Sequence, residues 1–484
     1  MKLKDLLVGI NSAEYHAEAD MEISGVNYDS RAVKRGELFV AVRGYAVDGH
    51  RFIPQAVESG AILIVCEQAP SADVPYVLVP DTRLALALIS KNWFGDPAAR
   101  MKMIGVTGTN GKTTTTMLIK HMLEQCRGAK VGLIGTNQNM IGDEVLPAER
   151  TTPESYELQK LLRQMADSGC EYVVMEVSSH SLVLDRVAGI RFAVAIFTNL
   201  TQDHLDFHRT MEEYAKAKAR LFRMSDAGAF NLDDPWAEVM MDGAECRIFT
   251  YSEQKNEADL VAKDLKLSAD GVKFCALTVG ELERVRLGIP GKFSVYNALS
   301  VISCGILLGL TMTEINSSLS SAKGVKGRME VVPTDGVGTV IIDYAHTPDA
   351  LENALKSMRE VSSGRLVVLF GCGGDRDRTK RPIMGRIAAE NADYVIVTSD
   401  NPRTEEPQAI IDEIVEGMKD SKTPRSVICD RREAIAYALD NARPDDVILL
   451  AGKGHETYQI VGTEKFHMDE REIVNEHLEK RKRT

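Results

Sequence analysis

A glycine-rich loop, Gly105-Val-Thr-Gly-Thr-Asn-Gly-Lys-Thr113, is the feature that most limits how this chain can fold. It follows an apolar run over 101–106 and precedes a helical pattern, so the sequence predicts a strand, a tight turn and a helix. Glycines in such a turn let backbone N–H groups point at oxygen anions, and the helix N-terminus adds partial positive charge. Lys112 can reach terminal phosphates and Thr113 can bind Mg²⁺, so we predict a site for ATP or GTP.

The loop departs from the strict phosphate-loop pattern G-x-x-x-x-G-K-[ST], because Val106 stands where the first glycine belongs. Its glycines are Gly105, Gly108 and Gly111, and this spacing resembles that of the Mur ligases and the folylpolyglutamate synthases. The alternative is a strand-to-helix turn with incidental glycines. A Gly-Lys-Thr triplet at such a junction is rare by chance, which favours the nucleotide loop.

Length and charge narrow the class of protein. A chain of 484 residues is too long for one core and suggests about three domains. The 58 basic and 70 acidic residues give a net charge of −12, which argues against nonspecific binding to nucleic acid or an anionic membrane. We therefore expect a small substrate, bound by local basic clusters.

Cysteine usage and hydropathy indicate the compartment. The eight cysteines include no C-x-x-C pair and fall mostly in apolar runs, which predicts reduced core thiols and no zinc site. The first residues lack the pattern of a secretory signal, and apolar runs such as 301–310 are shorter than the ~18 residues of a membrane span. We expect a cytoplasmic monomer that does not insert into membranes.

The order of strand and helix patterns predicts three α/β domains, at residues 1–97, 98–327 and 328–484. The first is small and ends at a Gly/Pro break. In the second, strands over 130–134, 172–176 and 192–198 alternate with helices over 113–125 and 156–168, which predicts a phosphate-loop ATPase-like domain with a mostly parallel sheet. A β-rich stretch over 263–287 and a helix near 295–308 follow. The third domain has a doubly wound, Rossmann-like pattern.

Four polar motifs follow the predicted strands of the third domain, where ligands of doubly wound sheets bind. They are Asp343-Tyr-Ala-His-Thr-Pro348, Gly371-Cys-Gly-Gly-Asp-Arg-Asp-Arg378, Asp400-Asn-Pro-Arg403 and Gly452-Lys-Gly-His-Glu456. Arg376, Asn401 and Arg403 suit a zwitterionic amino acid, because guanidinium groups pair bidentately with carboxylates. The alternative is a surface loop, since Asp-Asn-Pro is a good turn and arginine is commonly exposed.

Glu176 and the run Asp203-His-Leu-Asp-Phe-His208 come at the ends of consecutive predicted strands of the second domain. Either alone is more often a structural, hydrogen-bonded residue. Their expected position at the same sheet edge as Lys112 and Thr113 favours a metal–nucleotide site. In the helix that follows, Lys216 and Arg220 are expected on a solvated basic face.

From Asp29-Ser-Arg31 to Gly452-Lys-Gly-His-Glu456, nearly its whole length, the chain resembles the Mur ligase family. The resemblance implies an N-terminal uridine-nucleotide-binding domain, with an active site between the three domains. It implies an ATP-dependent ligase that converts the D-glutamate γ-carboxylate of UDP-MurNAc-L-Ala-D-Glu to an acyl phosphate and joins it to the amine of meso-diaminopimelate. A lysine-adding Mur ligase, a ligase like folylpolyglutamate synthase, and a nucleotide-binding protein that hydrolyses ATP without ligation are the alternatives.

The same resemblance implies roles for individual residues. ATP would contact Gly108, Thr109, Asn110, Gly111, Lys112, Thr113, Thr114, Asn297, Arg328, Asp343 and His346. The UDP-MurNAc-dipeptide would contact Ser30, the loop Tyr45-Ala-Val47, Thr151, Thr152, Ser178 and Arg186. Diaminopimelate would contact Arg376, Asp400, Asn401, Pro402, Arg403, Gly452 and Glu456, with Gly452 and Glu456 at the distal ammonium.

Metal ligands and a modified lysine are also implied by the resemblance. Two Mg²⁺ ions would be held by Thr113, Glu176, His204 and Lys218, with Lys218 carrying a carbamate that turns a cation into a carboxylate-like ligand. Lys112, Lys218 and His204 are then the expected catalytic residues. Leu184 stands where some relatives have glutamine, so no substrate contact is expected from it.

Overall fold

A computed structural model describes residues 1–10, 13–44, 47–322, 324–334 and 336–483. Tyr45 and Ala46 of the predicted uridine loop lie outside the described residues. The chain forms two compact units, one of residues 1–259 and 303–310 and the other of residues 260–302 and 311–484. None of the described helices combines the length and the hydropathy needed to cross a bilayer.

The first unit begins with a small, mostly parallel sheet. Its strands are β1 (Glu14–His16), β2 (Gly25–Asn27), β3 (Glu37–Val40), β4 (Leu63–Cys66) and β5 (Tyr76–Leu78). They lie in the order β1-β5-β4-β3-β2, and β1 pairs antiparallel. The helices are α1 (Leu3–Leu6), α2 (Ile53–Glu58) and α3 (Thr82–Trp93). Apolar residues alternate between two separate cores, one on each face of the sheet, as expected for parallel strands covered on both sides.

A second sheet in this unit holds the glycine-rich loop. Its strands are β6 (Lys102–Thr107), β7 (Val131–Ile134), β8 (Asn139–Ile141), β9 (Glu144–Leu146), β10 (Tyr172–Glu176), β11 (Phe192–Phe197), β12 (Ser225–Asn231) and β13 (Arg247–Ser252). They lie in the order β13-β12-β11-β6-β10-β7-β8-β9, parallel as far as β7 and antiparallel beyond it. The helices are α4 (Lys112–Arg127), α5 (Ser155–Asp167), α6 (Ser179–Val183), α7 (Leu205–His208), α8 (Met211–Arg223) and α9 (Ala237–Met241).

The register of this sheet decides which residues meet. Glu176 at the end of β10 pairs with Val106 of β6, and Phe197 at the end of β11 pairs with Thr107. Parallel strands end at the same edge, so the segments after β6, β10 and β11 emerge side by side. This edge is where the sequence predicted the metal–nucleotide site.

The second unit begins with an antiparallel meander and two helices. They are β14 (Leu260–Ser268), β15 (Gly271–Thr278), β16 (Glu281–Leu287), residues 293–302 of α10 (Phe293–Leu307), and α11 (Met312–Ser321). A capping box begins α11: Thr311 Oγ1 accepts from Glu314 N, and the Glu314 carboxylate accepts from Thr311 N. The predicted β-rich stretch and the helix after it are confirmed.

The rest of this unit is a Rossmann-like sheet with helices. Its strands are β17 (Glu330–Val332), β18 (Thr339–Asp343), β19 (Leu366–Phe370), β20 (Tyr394–Val397), β21 (Arg425–Val427) and β22 (Val447–Ala451), followed by the hairpin β23 (Tyr458–Val461) and β24 (Glu464–His467). The sheet order is β17-β18-β22-β19-β20-β21, with β17 antiparallel and the others parallel. The helices are α12 (Pro348–Val361), α13 (Lys380–Asn391), α14 (Pro407–Glu416), α15 (Arg431–Asp440) and α16 (Glu470–Arg483).

The structure confirms the alternation of parallel strands and helices that the sequence predicted. The strand expected over 172–176 matches β10 to the residue, and β19 and β22 end directly before two of the four polar motifs. The domain boundaries at residues 97 and 327 stay predictions. Of the cysteines, four are buried and three are half-buried, while Cys429 is exposed and is not a core thiol.

Candidate active site

The glycine-rich loop between β6 and α4 depends on two glycines with positive φ. Gly108 has φ +146° and Gly111 has φ +84°, backbone conformations that other residues rarely adopt. A Cβ atom at residue 108 would lie 2.0 Å from Thr198 Oγ1. Glycine is therefore required for the loop to pass close to the end of β11, directly before the N-terminus of α4.

Two residues after β11 hold this loop in place. Thr198 Oγ1 donates to Asn110 O at 2.7 Å, and Asn110 N donates to Asn199 Oδ1 at 2.9 Å. Asn199 Nδ2 donates back to Asn110 O at 3.1 Å. We missed Thr198 and Asn199 in the sequence, because a polar pair after a strand has no distinctive signal. Their bonds pre-form the loop before any ligand binds.

Lys112, the first residue of α4, lies over the loop. Its Nζ donates to Gly108 O at 3.0 Å and to Thr109 O at 2.9 Å. Thr114 is buried within the first turn of α4. A nucleotide phosphate would offer the Lys112 ammonium a full negative charge in place of two carbonyl dipoles, a stronger partner. The cation thus lies where nucleotide phosphates are expected.

Glu176 is the buried carboxylate at this edge of the sheet. It is 1% exposed and accepts from Thr113 Oγ1 at 2.9 Å. Thr136 donates to both of its oxygens, from the backbone N–H at 2.9 Å and from Oγ1 at 3.0 Å. The structure thus brings Thr113 and Glu176 together, as the shared sheet edge predicted. Thr136, after β7, was missed.

Lys218 is a buried lysine, and no described carboxylate forms an ion pair with it. It is 1% exposed, and its Nζ donates to Gly108 O at 2.9 Å and lies 4.6 Å from the ring centroid of Tyr214. Burial lowers the pKa of Lys218 well below its usual value of 10.5, and the nearby Lys112 cation lowers it further, while Asp203 acts in the opposite direction. Burial therefore favours the neutral amine, the form that can add CO₂.

His204 lies at the same edge in a left-handed conformation, with φ +52°. Its Nε2 is 3.3 Å from Asp203 Oδ2, and its ring centroid is 4.9 Å from that of His180. Over the described part of the chain, no group of three or more His, Cys, Asp and Glu side chains is placed to hold a metal ion. A metal here would need oxygen ligands beyond these types, such as a hydroxyl or a carbamate.

The residues predicted to contact the muramoyl-dipeptide surround Glu176. Thr152 Oγ1 donates to Glu176 O at 2.8 Å and accepts from Ser178 N at 3.2 Å. Thr151 Oγ1 lies 3.0 Å from Thr136 Oγ1, which itself donates to the Glu176 carboxylate. Thr151 is therefore linked to the Glu176 carboxylate through Thr136, whereas Thr152 links the backbone carbonyl of Glu176 to Ser178.

Arg186 packs against the same segment. Its Nη1 donates to Thr152 O at 3.1 Å, and its Nη2 forms an ion pair with Glu154 at 2.6 Å. Burial lowers the pKa of Arg186, and Glu154 opposes this effect. The buried Nε of Arg186 has no hydrogen-bond partner among the described residues, so one donor remains for a ligand. Leu184 directly follows α6, and its side chain has no polar group that could contact a ligand.

A cavity of about 500 Å³ contains the predicted uridine residue Ser30. Ser30 Oγ donates to Gln55 Oε1 at 2.8 Å. Arg31, Arg83 and Arg150 line the cavity together with apolar side chains. A concave site with an apolar floor and several guanidinium groups suits a nucleotide diphosphate.

In the second unit, Arg403 is tied to two neighbouring segments. It has φ +51°, its Nη1 donates to Gly374 O at 2.8 Å, and its backbone N–H donates to Ile460 O at 3.1 Å. Gly462 N donates to Arg403 O at 2.8 Å. The guanidinium keeps further N–H donors for a ligand. Arg376 is exposed, and its Nη1 donates to the neighbouring Asp375 O.

Asn401 forms more hydrogen bonds with the protein than the sequence indicated. Its Oδ1 accepts from Lys453 Nζ at 2.8 Å and from Ile460 N at 2.9 Å, and its Nδ2 donates to Glu456 Oε2 at 2.9 Å. Lys453 is fully buried and also donates to Glu456 Oε2 at 2.9 Å. The sequence offered one indication for Lys453, which lies inside the motif Gly452-Lys-Gly-His-Glu456. Of this motif, only Gly452 and Glu456 were predicted to contact diaminopimelate.

The loops that carry the remaining predicted residues of this site pack closely against one another. Gly452 has φ +108°, and a Cβ atom there would lie 2.9 Å from Asp400 Oδ2. A Cβ atom at Gly374 would lie 1.9 Å from Pro402 O. The loops after β19, β20 and β22 therefore pack against one another, and glycine is needed at both contacts.

A buried arginine that sequence reasoning missed joins two of these loops. Arg431 is 1% exposed; its Nη1 donates to Ser399 O at 3.3 Å and its Nη2 to Ala451 O at 2.8 Å. Glu470 pairs with Arg431 at 2.8 Å. Ser399 and Ala451 come directly before Asp400 and Gly452. Nothing in the sequence marks Arg431, because its partners, two backbone carbonyls and Glu470, are distant from it along the chain.

Three of the predicted ATP residues of the second unit lie together. Asp343 accepts two backbone N–H groups at 2.8 and 2.9 Å, and burial raises the pKa of Asp343 while Arg328 opposes this. The Arg328 guanidinium lies 5.2 Å from the ring centroid of Tyr344, and its buried Nε has no hydrogen-bond partner among the described residues. His346 Nδ1 lies 2.9 Å from Tyr344 O. Asn297 is buried in α10.

Known protein families match the chain over most of its length. The Mur ligase middle domain matches residues 106–305, the Mur ligase glutamate ligase domain matches residues 327–454, and the Mur ligase family catalytic domain matches residues 22–94. The chain belongs to the Mur ligase family. The predicted family and its three-domain α/β architecture are thereby confirmed.

Individual Mur ligases are similar over nearly the full length. The UDP-N-acetylmuramoyl-L-alanyl-D-glutamate--2,6-diaminopimelate ligase of Caldanaerobacter subterraneus subsp. tengcongensis is 49% identical over 481 residues, 99% of each chain. The ligase of the same name from Clostridium tetani is 47% identical over 487 residues, again 99% of each chain. A solved structure of a ligase of that name aligns over 100% of both chains with a TM-score of 0.78 and 32% identity.

Proposed function

We propose that this Mur ligase joins meso-2,6-diaminopimelate to the γ-carboxyl group of D-glutamate in UDP-MurNAc-L-Ala-D-Glu, with hydrolysis of ATP to ADP and phosphate. The similar ligases are named for that glutamate substrate and for 2,6-diaminopimelate. The observation that carries the proposal within this chain is Arg403, a cation fixed by its bond to Gly374 O and two residues along the chain from Asn401, which bonds Glu456. Diaminopimelate has a second carboxylate that can pair with this cation, whereas lysine has only one carboxylate.

The first chemical step is phosphoryl transfer. An oxygen of the glutamate γ-carboxylate attacks the γ-phosphorus of ATP, the bond to the β,γ-bridging oxygen breaks, and ADP leaves. The glycine-rich loop would bind the phosphates through backbone N–H groups, and Lys112 would carry positive charge to the transferring phosphate. Because Thr198 and Asn199 already hold the loop, little reorganisation is needed when charge develops.

The second step forms the amide. The neutral amine of diaminopimelate attacks the carbonyl carbon of the acyl phosphate, phosphate leaves with the bonding electron pair, and the amine loses a proton. Asn401, Arg403 and Glu456 would orient the distal end of the amino acid, so that its other amine is presented to the carbonyl carbon. Positioning of this kind converts a bimolecular reaction into an effectively unimolecular one.

The residues at the edge of the second sheet fit Mg²⁺, which we propose binds at two positions. Thr113 and Glu176 supply hard oxygen atoms 2.9 Å apart, and His204 supplies an imidazole. Burial favours the neutral amine of Lys218, so a carbamate on its Nζ would supply the further anionic ligand that the described acidic residues do not. When bound, Mg²⁺ would neutralise charge on the nucleotide phosphates.

The UDP moiety is proposed to occupy the cavity that contains Ser30, with Arg31, Arg83 and Arg150 near the diphosphate. The muramoyl-dipeptide would then extend towards Thr151, Thr152, Ser178 and Arg186. The unpaired Nε of Arg186 is the donor we assign to this substrate. All three substrates are small molecules, and we propose that the protein works as a cytoplasmic monomer.

A ligation assay with the full chain tests the proposal. ADP release should require UDP-MurNAc-L-Ala-D-Glu and meso-diaminopimelate together, and lysine or glutamate should replace diaminopimelate poorly. Equal rates with lysine would indicate the lysine-adding alternative. ADP release with neither co-substrate would indicate a nucleotide-binding protein that hydrolyses ATP without ligation.

A further inference from the structure

Lys453 is a buried ammonium whose polar partners are residues of the proposed amino-acid site. Its side chain is 0% exposed, and it donates to Asn401 Oδ1 at 2.8 Å and to Glu456 Oε2 at 2.9 Å. The Nζ also lies 5.4 Å from the ring centroid of Tyr458. Burying an ammonium in this way is costly unless its partners are well placed, and an apolar side chain would fill the same space more cheaply.

The first consequence concerns the direction of the Asn401 amide. Lys453 Nζ and Ile460 N are both donors, so they hold the carbonyl oxygen of the amide on their side. The Nδ2 group must then face the other way, where one N–H bonds Glu456 Oε2. Asn401 therefore presents its remaining N–H, a donor suited to a carboxylate, and not an acceptor.

The second consequence concerns Glu456. Its Oε2 accepts from both Lys453 and Asn401, whereas no hydrogen bond from the described residues reaches its Oε1. Lys453 thereby fixes which oxygen of the Glu456 carboxylate forms hydrogen bonds with the protein. The Oε1 atom is left to accept from an ammonium group.

We propose that Lys453 is a positioning residue for the amino-acid substrate: it sets the polarity of Asn401 towards a carboxylate and of Glu456 towards an ammonium. This inference rests on the proposed function, because it assumes that Asn401 and Glu456 bind the incoming amino acid. Lys453 itself need not touch the substrate. Its loss removes one of the two donors that hold the amide oxygen and leaves the Glu456 carboxylate without its buried cation.

The test is Lys453→Met in the full chain, with Lys120→Met as the matched control. Lys120 is also a buried lysine, 5% exposed and paired with Glu124, but it lies in α4 of the first unit. We expect the KM for meso-diaminopimelate to rise by roughly 10- to 100-fold in Lys453→Met, since a misplacement of about 1 Å costs about two decades. The KM values for ATP and for UDP-MurNAc-L-Ala-D-Glu should stay near those of the parent protein.

Three further outcomes separate positioning from general stability. Lys453→Gln retains an N–H donor for Asn401 Oδ1, so it should recover part of the lost diaminopimelate affinity, and it remains informative if Lys453→Met does not fold. The preference for diaminopimelate over lysine should fall in Lys453→Met and stay unchanged in Lys120→Met. An unaltered KM for diaminopimelate in both Lys453 variants, or an equal rise in all three KM values, overturns the inference.

The proposed function and this inference fail in distinguishable ways. If the parent protein releases ADP without regard to diaminopimelate, the proposed function is wrong. If the parent protein uses diaminopimelate and the Lys453 variants use it equally well, the function stands and the positioning role is wrong.

Discussion

Replacing Gly108 by alanine tests how the nucleotide loop is held. A Cβ atom at this position would lie 2.0 Å from Thr198 Oγ1, about 1.4 Å short of the 3.4 Å at which ordinary contacts begin. The backbone carbonyl and N–H of Asn199 would lie at 3.0 and 3.1 Å, so the alanine cannot escape by a small rotation. The φ of +146° adds strain of roughly 1–3 kcal/mol.

The loop or the segment after β11 must therefore shift by more than 1 Å. That shift breaks the bonds from Thr198 and Asn199 to Asn110 and moves Gly108 O, the shared acceptor of Lys112 and Lys218. Since a displacement of about 1 Å costs about 100-fold in rate, we expect kcat/KM for ATP to fall by about two decades or more. ADP release and calorimetric ATP binding measure this loss.

Gly128→Ala is the matched control, because Gly128 ends the same helix. It has φ +60°, and a Cβ atom there would meet nothing within 4 Å. This variant should lose only about 1–2 kcal/mol of stability through the left-handed backbone and keep its kcat/KM. Gly108→Ala with ATP turnover close to that of the parent, or a Gly128→Ala variant that is equally inactive, would refute the reasoning.

The remaining predictions concern three cations. Lys112→Ala should lower kcat by about two to three decades with the fold intact, because it removes one donor to the negative charge that develops during phosphoryl transfer. A kcat equal to that of the parent protein would show that the loop is not catalytic. Because burial lowers the pKa of Lys218 well below its usual value of 10.5, ¹³CO₂ should add to it at neutral pH, giving a carbamate NMR signal that disappears in Lys218→Ala and persists in Lys216→Ala. Lys218→Ala should also be inactive and partly rescued by short carboxylic acids; full activity would contradict the carbamate. Arg403→Ala should reduce the preference for diaminopimelate over lysine by roughly 2–5 kcal/mol, about 1.5 to 3.5 decades, without changing the KM for ATP, and an unaltered preference would contradict the assignment.

The sequence predicted the regular elements well where local pattern decides them. Strands such as β10, β19 and β22 are short apolar runs bounded by polar residues, so their limits are visible along the chain. The strands β12 and β13 and the hairpin β23–β24 were missed, since they mix polar with apolar residues. The strands β12 and β13 also pair with segments distant in sequence. Hydrogen bonding to a neighbouring strand, and not local propensity, makes them strands.

The nucleotide loop, Glu176 and the motifs after the C-terminal strands were determined by the sequence itself, because glycine spacing and polar residues at strand ends are local properties. Only the tertiary structure decided that Lys218 is buried with a lowered pKa, that Arg431 bridges Ser399 O and Ala451 O, and that Lys453 bonds both Asn401 and Glu456. Each of these lysines and arginines resembles an ordinary surface cation in the sequence. Their roles arise from burial and from contacts with partners that folding brings together. Neither the burial nor the contacts can be read from local spacing in the sequence.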